Sequence, residues 1–389
     1  MKGKTKKTIA YILVVIYGAL CTFLYYKQTQ WTGGAVYESD LPAHISMIVD
    51  DGWFYSLTAL VYLAFYKLGS MGDILTAAFL GASSVLAIIF TSILIGESDG
   101  ERNDSGVIPL MAALVLNIVM PCYVKGMSDG RYIGMQSASI WHNSTYIVMK
   151  WLAILCLIYY IRIERKIDKE LKVRELVIFS VLQFFCSAVK PSFLMVFAPM
   201  MLIFMICDLV RGVKIKNLFF FGCALLPAAI PVLLQRMILF GADTGNGIIL
   251  DPGAVMRNHS AHPIVAAGLS ILFPLIVFVF HIKEILSKKL YLGALIMASF
   301  GFTEYFLFSE SGKRALDGNF SWGYAFAILP LFAVGLRILL CDIAKNFKKK
   351  KDPAIAIPIV ESAALLWHVY CGIVFFAKLV CGTSYFMWG

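Results

Sequence analysis

Charge is scarce in this sequence of 389 residues: Asp, Glu, Lys and Arg together make up 15% of it. A soluble globular domain carries about 25%. Apolar residues fill the deficit, reaching 60%, and the mean hydropathy of +0.78 excludes an ordinary soluble domain. Paired cysteine spacing is missing too. The nine cysteines are scattered, most of them inside apolar runs, with no C-x-x-C pair. That excludes a disulfide framework and leaves buried free thiols as the default. Short segments of alternating polarity are absent, which excludes an outer-membrane barrel. No fixed-period repeat is visible, and no outer loop is long enough to fold alone.

Long apolar runs are what the sequence does have. Runs of roughly 17–25 residues match the thickness of a bilayer. Candidate spans fall at 8–26, 53–68, 71–95, 107–124, 145–161, 176–189, 192–210, 217–240, 263–282, 290–308, 322–340 and 356–380. The expected fold is an all-α, polytopic transmembrane helical bundle, one integral-membrane domain over 1–389. The first run follows Lys2, Lys4, Lys6 and Lys7. It is too long for a signal peptide and has no small-residue cleavage site after it, so it reads as an uncleaved first span.

The formal net charge of +10 raises the question of nucleic acid. The basic residues instead occupy short loops that alternate with acidic or neutral ones, as the positive-inside rule requires. No nucleic-acid partner is expected. Arg162, Arg165, Lys166, Lys169, Lys172 and Arg174 form the strongest cytoplasmic marker, joined by Arg211, Lys214 and Lys216, by Lys283, Lys288 and Lys289, and by Lys345 with the run Lys348 to Lys351. This places the N-terminus in the cytoplasm and 27–52, 125–144, 241–262 and 309–321 outside. Parity then conflicts, because three apolar segments separate the first two outer stretches. The expectation is therefore 11–13 spans. The long loop 241–262, rich in Gly, Asp and Asn, reads as a lid or connector.

Unusual polar residues gather in the outer segments. Glu38, Asp40 and His44 lie in 27–52, and Arg131, Tyr132, Trp141, His142 and Asn143 lie in 125–144. Lys190 marks the tip of a short hairpin. Asp243, Arg257 and His259 lie in 241–262, and Glu310, Arg314, Asp317, Asn319 and Trp322 in or beside 309–321. Such a set suits transfer from a lipid-linked anionic donor. A carboxylate near the membrane surface serves as general base on an acceptor hydroxyl or holds a divalent cation. Arg and Lys bind a phosphate leaving group and stabilise its charge. Asp40, His44 and His142 are the candidate catalytic residues. Lys190, Arg257 and Arg314 are candidates for the donor phosphate, and Glu38, Trp141, Asn143, Asn319 and Trp322 for substrate contacts. A plainer role stands beside each. Asp40 before Leu41-Pro42 suits the cap of a short interfacial helix, and Trp141 suits an aromatic belt. Glu304 and His368 lie inside apolar runs, where ionisable groups mark function by default.

With these residues in view, the chain resembles the GT-C superfamily of polytopic glycosyltransferases. The resemblance rests on the acidic first outer loop Glu38-Ser39-Asp40-Leu41-Pro42-Ala43-His44, the interfacial helix expected after it, and the hairpin Lys190-Pro191-Ser192-Phe193. Segments 39–44, Trp141-His142-Asn143 and 318–324 also resemble bacterial multispan proteins of surface-polysaccharide synthesis. The resemblance implies a location in a bacterial inner membrane with the active face outside. It implies Asp40 as the catalytic carboxylate, a polyprenyl-phosphate-linked sugar as donor, a glycan or lipid as acceptor, and Mg or Mn at Asp40 as a candidate cofactor. A repeat-unit polymerase on the same lipid carrier, and a transporter or lipid flippase without chemistry, are the rival readings.

Overall fold

The structure is a computed structural model and describes residues 2–97, 106–127, 134–169, 171–241, 247–346 and 356–384. Arg131, Tyr132, Asp243 and Lys348 to Lys351 lie outside the described residues. Backbone amides have no water partner in a bilayer core, so the apolar runs close their hydrogen bonds internally as helices. The result is the expected all-α polytopic bundle of an integral membrane protein. Among the described residues, eight helices are long and apolar enough to cross a membrane, or nine if the bent pair Pro263–Ser270 and Leu272–Ser287 forms one span.

That count is lower than 11–13, for a reason of length. The runs at 53–68, 107–124 and 176–189 become α3 (Leu57–Tyr66, 10 residues), α5 (Val107–Leu116, 10 residues) and α7 (Val173–Val189, 17 residues). At about 1.5 Å per residue, a helix of roughly ten residues covers half of a hydrocarbon core of about 30 Å. Length thus removes α3 and α5 as full crossings, while the 17 residues of α7 reach about 25 Å.

Close backbone approach organises the packing, as in membrane bundles generally. Helix α1 (Lys2–Thr29) runs along α4 (Ser70–Glu97). A Cβ added at Gly81 would sit 2.0 Å from the Thr22 hydroxyl. Helix α6 (Ser144–Glu164) is the central element and is buried along most of its length, between α4 and α7. Helices α14 (Lys289–Leu307) and α15 (Ser321–Asn346) pack through Gly301, whose added Cβ would lie 2.7 Å from the Tyr324 backbone.

Three shorter features matter for the site. Helix α2 (Leu41–Val49) follows α1 through a coil that begins the expected interfacial segment. Helices α7 and α8 (Ser192–Val210) meet at Lys190-Pro191. The loop 241–262 carries strand β1 (Ile248–Leu250), which pairs antiparallel with β2 (Phe308–Glu310), so that Ile248 lies opposite Glu310. It also carries α11 (Ala254–His259). The ladder ties this loop to the segment before α15.

Candidate functional site

Asp40 sits at the N-terminal boundary of α2, but its side chain makes no cap. Ser39 does that work instead, its Oγ accepting from the Leu41 amide at 3.2 Å. The Asp40 amide donates to the His142 carbonyl at 3.2 Å, and Ser39 Oγ donates to the same oxygen at 2.9 Å. These bonds fasten the first outer loop to the entrance of α6. Asp40 Oδ2 is left to accept from Asn143 Nδ2 at 2.8 Å. Asn143 is itself fixed, because its Oδ1 caps α6 by accepting from the Tyr146 amide at 2.9 Å.

From Asp40 a continuous arc of contacts crosses four separate segments. Lys190 Nζ donates to Thr145 Oγ1 at 3.2 Å and reaches Asn143 Oδ1 at 3.5 Å. The same ammonium lies 4.5 Å from the centre of the Trp322 ring, within cation–π range. Trp322 Nε1 donates to Asn319 Oδ1 at 3.3 Å, and Asn319 Nδ2 donates to Glu310 Oε2 at 2.9 Å. Arg314 Nε closes the arc on Glu310 at 3.2 Å and Asp317 at 3.1 Å.

The arc lines a cavity of about 690 Å³. Asp40, Asn143, Lys190, Arg314, Asn319 and Trp322 all border it, as does His44. Met195, Val232, Leu239 and Phe240 give it an apolar wall on α8 and α10 (Leu226–Leu239, with Phe240 at its end). Burial tunes the charges. It lowers His44 to about 4, with the Asp40 carboxylate opposing the shift. It lowers Lys190 to about 7, while Asp40 and Glu310 pull the other way. It raises the Glu310 carboxyl, against the pull of Arg314 and Asn319. His44 is therefore neutral near pH 7 and hydrogen-bonds through Nδ1 to the Tyr55 hydroxyl. Lys190 is thus less basic than a free lysine, through desolvation first, with Arg314 adding to the shift.

Four of the candidate catalytic, phosphate and substrate residues do not border this cavity. His142 is buried beneath it, 4% exposed, and takes part through its carbonyl. Its ring is lowered to about 3 by burial and by Lys190. Trp141 is core: it donates to the Tyr17 hydroxyl at 3.0 Å and packs on Phe375 and Phe376. Glu38 faces the C-terminal segment, accepting from Ser384 at 2.8 Å. Arg257 is exposed on α11, bonded to the Pro252 carbonyl at 2.7 Å and paired loosely with Asp251. The loop geometry set by β1 turns it away. Glu304 and His368 do not border the cavity either, and His368 is consumed by backbone contacts to Met120 and Phe273.

Sequence reasoning missed Tyr55, Thr145 and Arg236, which all border the cavity. Arg236 carried a signal: an exposed arginine in the last turn of an apolar helix that leads into an outer loop. For a resident divalent cation the donor set fits poorly. Among the described residues no three potential ligands converge, and Glu310 is already held by Arg314 and Asn319.

No family model matches the sequence, and no curated protein matches it.

Proposed function

We propose that the chain is an integral-membrane glycosyltransferase that moves a sugar from a polyprenyl-phosphate-linked donor to a hydroxyl of a glycan or lipid at the outer face of a bacterial cell membrane. One observation carries the reading: a carboxylate, Asp40, shares a single cavity with the side-chain cations Lys190 and Arg314 beside an apolar wall. In the proposed reaction Asp40 accepts the proton of the acceptor hydroxyl. The hydroxyl oxygen forms a bond to the anomeric carbon as the bond from that carbon to the phosphate oxygen breaks. The polyprenyl phosphate leaves with the electron pair. Lys190 and Arg314 stabilise its charge, at short range and away from bulk water. Asn143 Nδ2 positions the base by donating to Asp40 Oδ2. Met195, Val232, Leu239 and Phe240 suit the prenyl chain. No step is routed through a metal ion.

The test is binding of polyprenyl phosphate to the purified chain. Lys190→Gln and Arg314→Gln are each expected to weaken it roughly 10- to 100-fold, the range of a charge-assisted hydrogen bond. Unchanged affinity in both variants would overturn the phosphate assignment.

A further inference from the structure

A second charged cleft lies at the far end of the same helices. Helix α6 spans 21 residues from the Asn143 cap to Glu164, about 30 Å at the usual rise per residue and so about one hydrocarbon thickness. Where its C-terminal end meets the start of α7, a cleft of about 490 Å³ opens. Arg162, Arg165, Lys166, Lys172 and Arg174 border it. Three of these cations have partners. Arg162 and Arg165 pair with Glu97 at 2.6 and 3.0 Å, and Lys166 pairs with Glu175 at 2.6 Å. Lys172 and Arg174 have no ion pair among the described residues. Among the described residues that border the cleft, five cations meet one carboxylate, Glu175, while Glu97 pairs with two of the cations from outside it.

The floor of the cleft is apolar, built from Ile163 and Ile178. Helix α7, which borders the cleft through Arg174, Glu175 and Ile178, also exposes Val173, Val177, Val181 and Phe185, a four-residue series that winds slowly along its surface. A basic cleft and an exposed apolar surface on the same helix suit a molecule that is anionic at one end and apolar along the rest. We propose that this cleft is a binding site for an anionic glycerophospholipid of the adjoining leaflet. Its phosphate sits between Lys172 and Arg174, and an acyl chain lies along the exposed apolar surface of α7. Basic pockets between membrane helices take such headgroups by the same charge logic. A soluble phosphate compound would use the same cations but has no use for the apolar surface.

Native mass spectrometry of the full chain in detergent tests this. The wild-type protein is expected to retain phosphatidylglycerol in preference to phosphatidylcholine. The double variant Lys172→Gln/Arg174→Gln is expected to bind phosphatidylglycerol roughly 30-fold more weakly, since each basic residue near an anionic headgroup contributes on the order of 1 kcal/mol. Lys214→Gln/Lys216→Gln, an equal change of charge at the N-cap and first turn of α9 (Ile215–Cys223), is expected to leave binding unchanged. Both pairs are exposed, and melting curves confirm that each variant is folded. Equal weakening by the two variants would mean diffuse surface charge and overturn the site. So would wild-type binding by Lys172→Gln/Arg174→Gln. Displacement of the lipid by excess inorganic phosphate would overturn the lipid assignment in favour of a soluble anion.

Discussion

At the residue scale, Lys190 illustrates how a site opposes stability. Burial of its ammonium is unfavourable, which is why its pKa falls to about 7 from an ordinary value of about 10.4. Between those two values the unfolded chain holds a proton that the folded one does not, so stability rises with pH across that window. Below pH 7 both states are protonated and the cost is constant. Lys190→Gln removes this cost while keeping a group that bonds Thr145. The variant is expected to melt at a higher temperature than wild type at pH 6–7, by an increment that shrinks as pH approaches 10. It is also expected to lose transfer activity, the usual trade at a functional position. Differential scanning fluorimetry across pH reads the first effect. A melting temperature that falls at pH 6–7 would contradict the burial cost.

Asn143 belongs to the element scale, because it joins a cap to a tether. Its Oδ1 starts α6 and its Nδ2 holds Asp40. Asn143→Ala is expected to cost about 1 kcal/mol of stability from the lost cap. It should also affect kcat more than the KM for donor, because the base loses its 2.8 Å bond while Lys190 loses only a 3.5 Å contact and keeps Thr145. Asn143→Ser is expected to restore stability but not kcat. Stability and kcat rescued together would reduce Asn143 to a cap. Gly301 acts on a larger pair. Its added Cβ would meet Tyr324 backbone, which has no flexible end to yield. Gly301→Leu is expected to push α14 from α15 and lower stability by about 1–3 kcal/mol. It would also displace Trp322 from Lys190, visible as altered tryptophan fluorescence.

The same scale explains what was legible in the sequence. Asp40, Lys190 and Arg314 could be placed on one face because polar groups in an apolar chain stand out and basic loops orient the spans. Trp141 could not be told from a substrate contact, since only the fold reveals that its indole meets Tyr17. Arg257 was misplaced because three backbone pairings, Ile248 to Leu250 with Phe308 to Glu310, leave no side-chain signature. The Asp40 cap was plausible from Leu41-Pro42, and it gave way because Ser39 sits one residue earlier and reaches the Leu41 amide.

For the whole molecule, the two charged clefts lie at opposite ends of the hairpin formed by α6 and α7. One end pairs acids with cations around a cavity of about 690 Å³. The other carries surplus positive charge, the composition that the positive-inside rule assigns to the cytoplasm. Transfer at one end and lipid anchorage at the other, if both proposals hold, divide the two clefts between substrate and membrane.

The central claim, that Asp40 is the base of a sugar transfer, is tested most directly in proteoliposomes. The purified chain is supplied with a pool of polyprenyl-phosphate-linked sugars and hydroxyl acceptors, and transfer by wild type is compared with Asp40→Asn. Asparagine keeps the shape and still accepts from Asn143 but cannot take a proton. The account predicts a fall in transfer of about 10²- to 10⁴-fold, with polyprenyl-phosphate binding and melting temperature retained. Transfer at the wild-type rate by folded Asp40→Asn would contradict it.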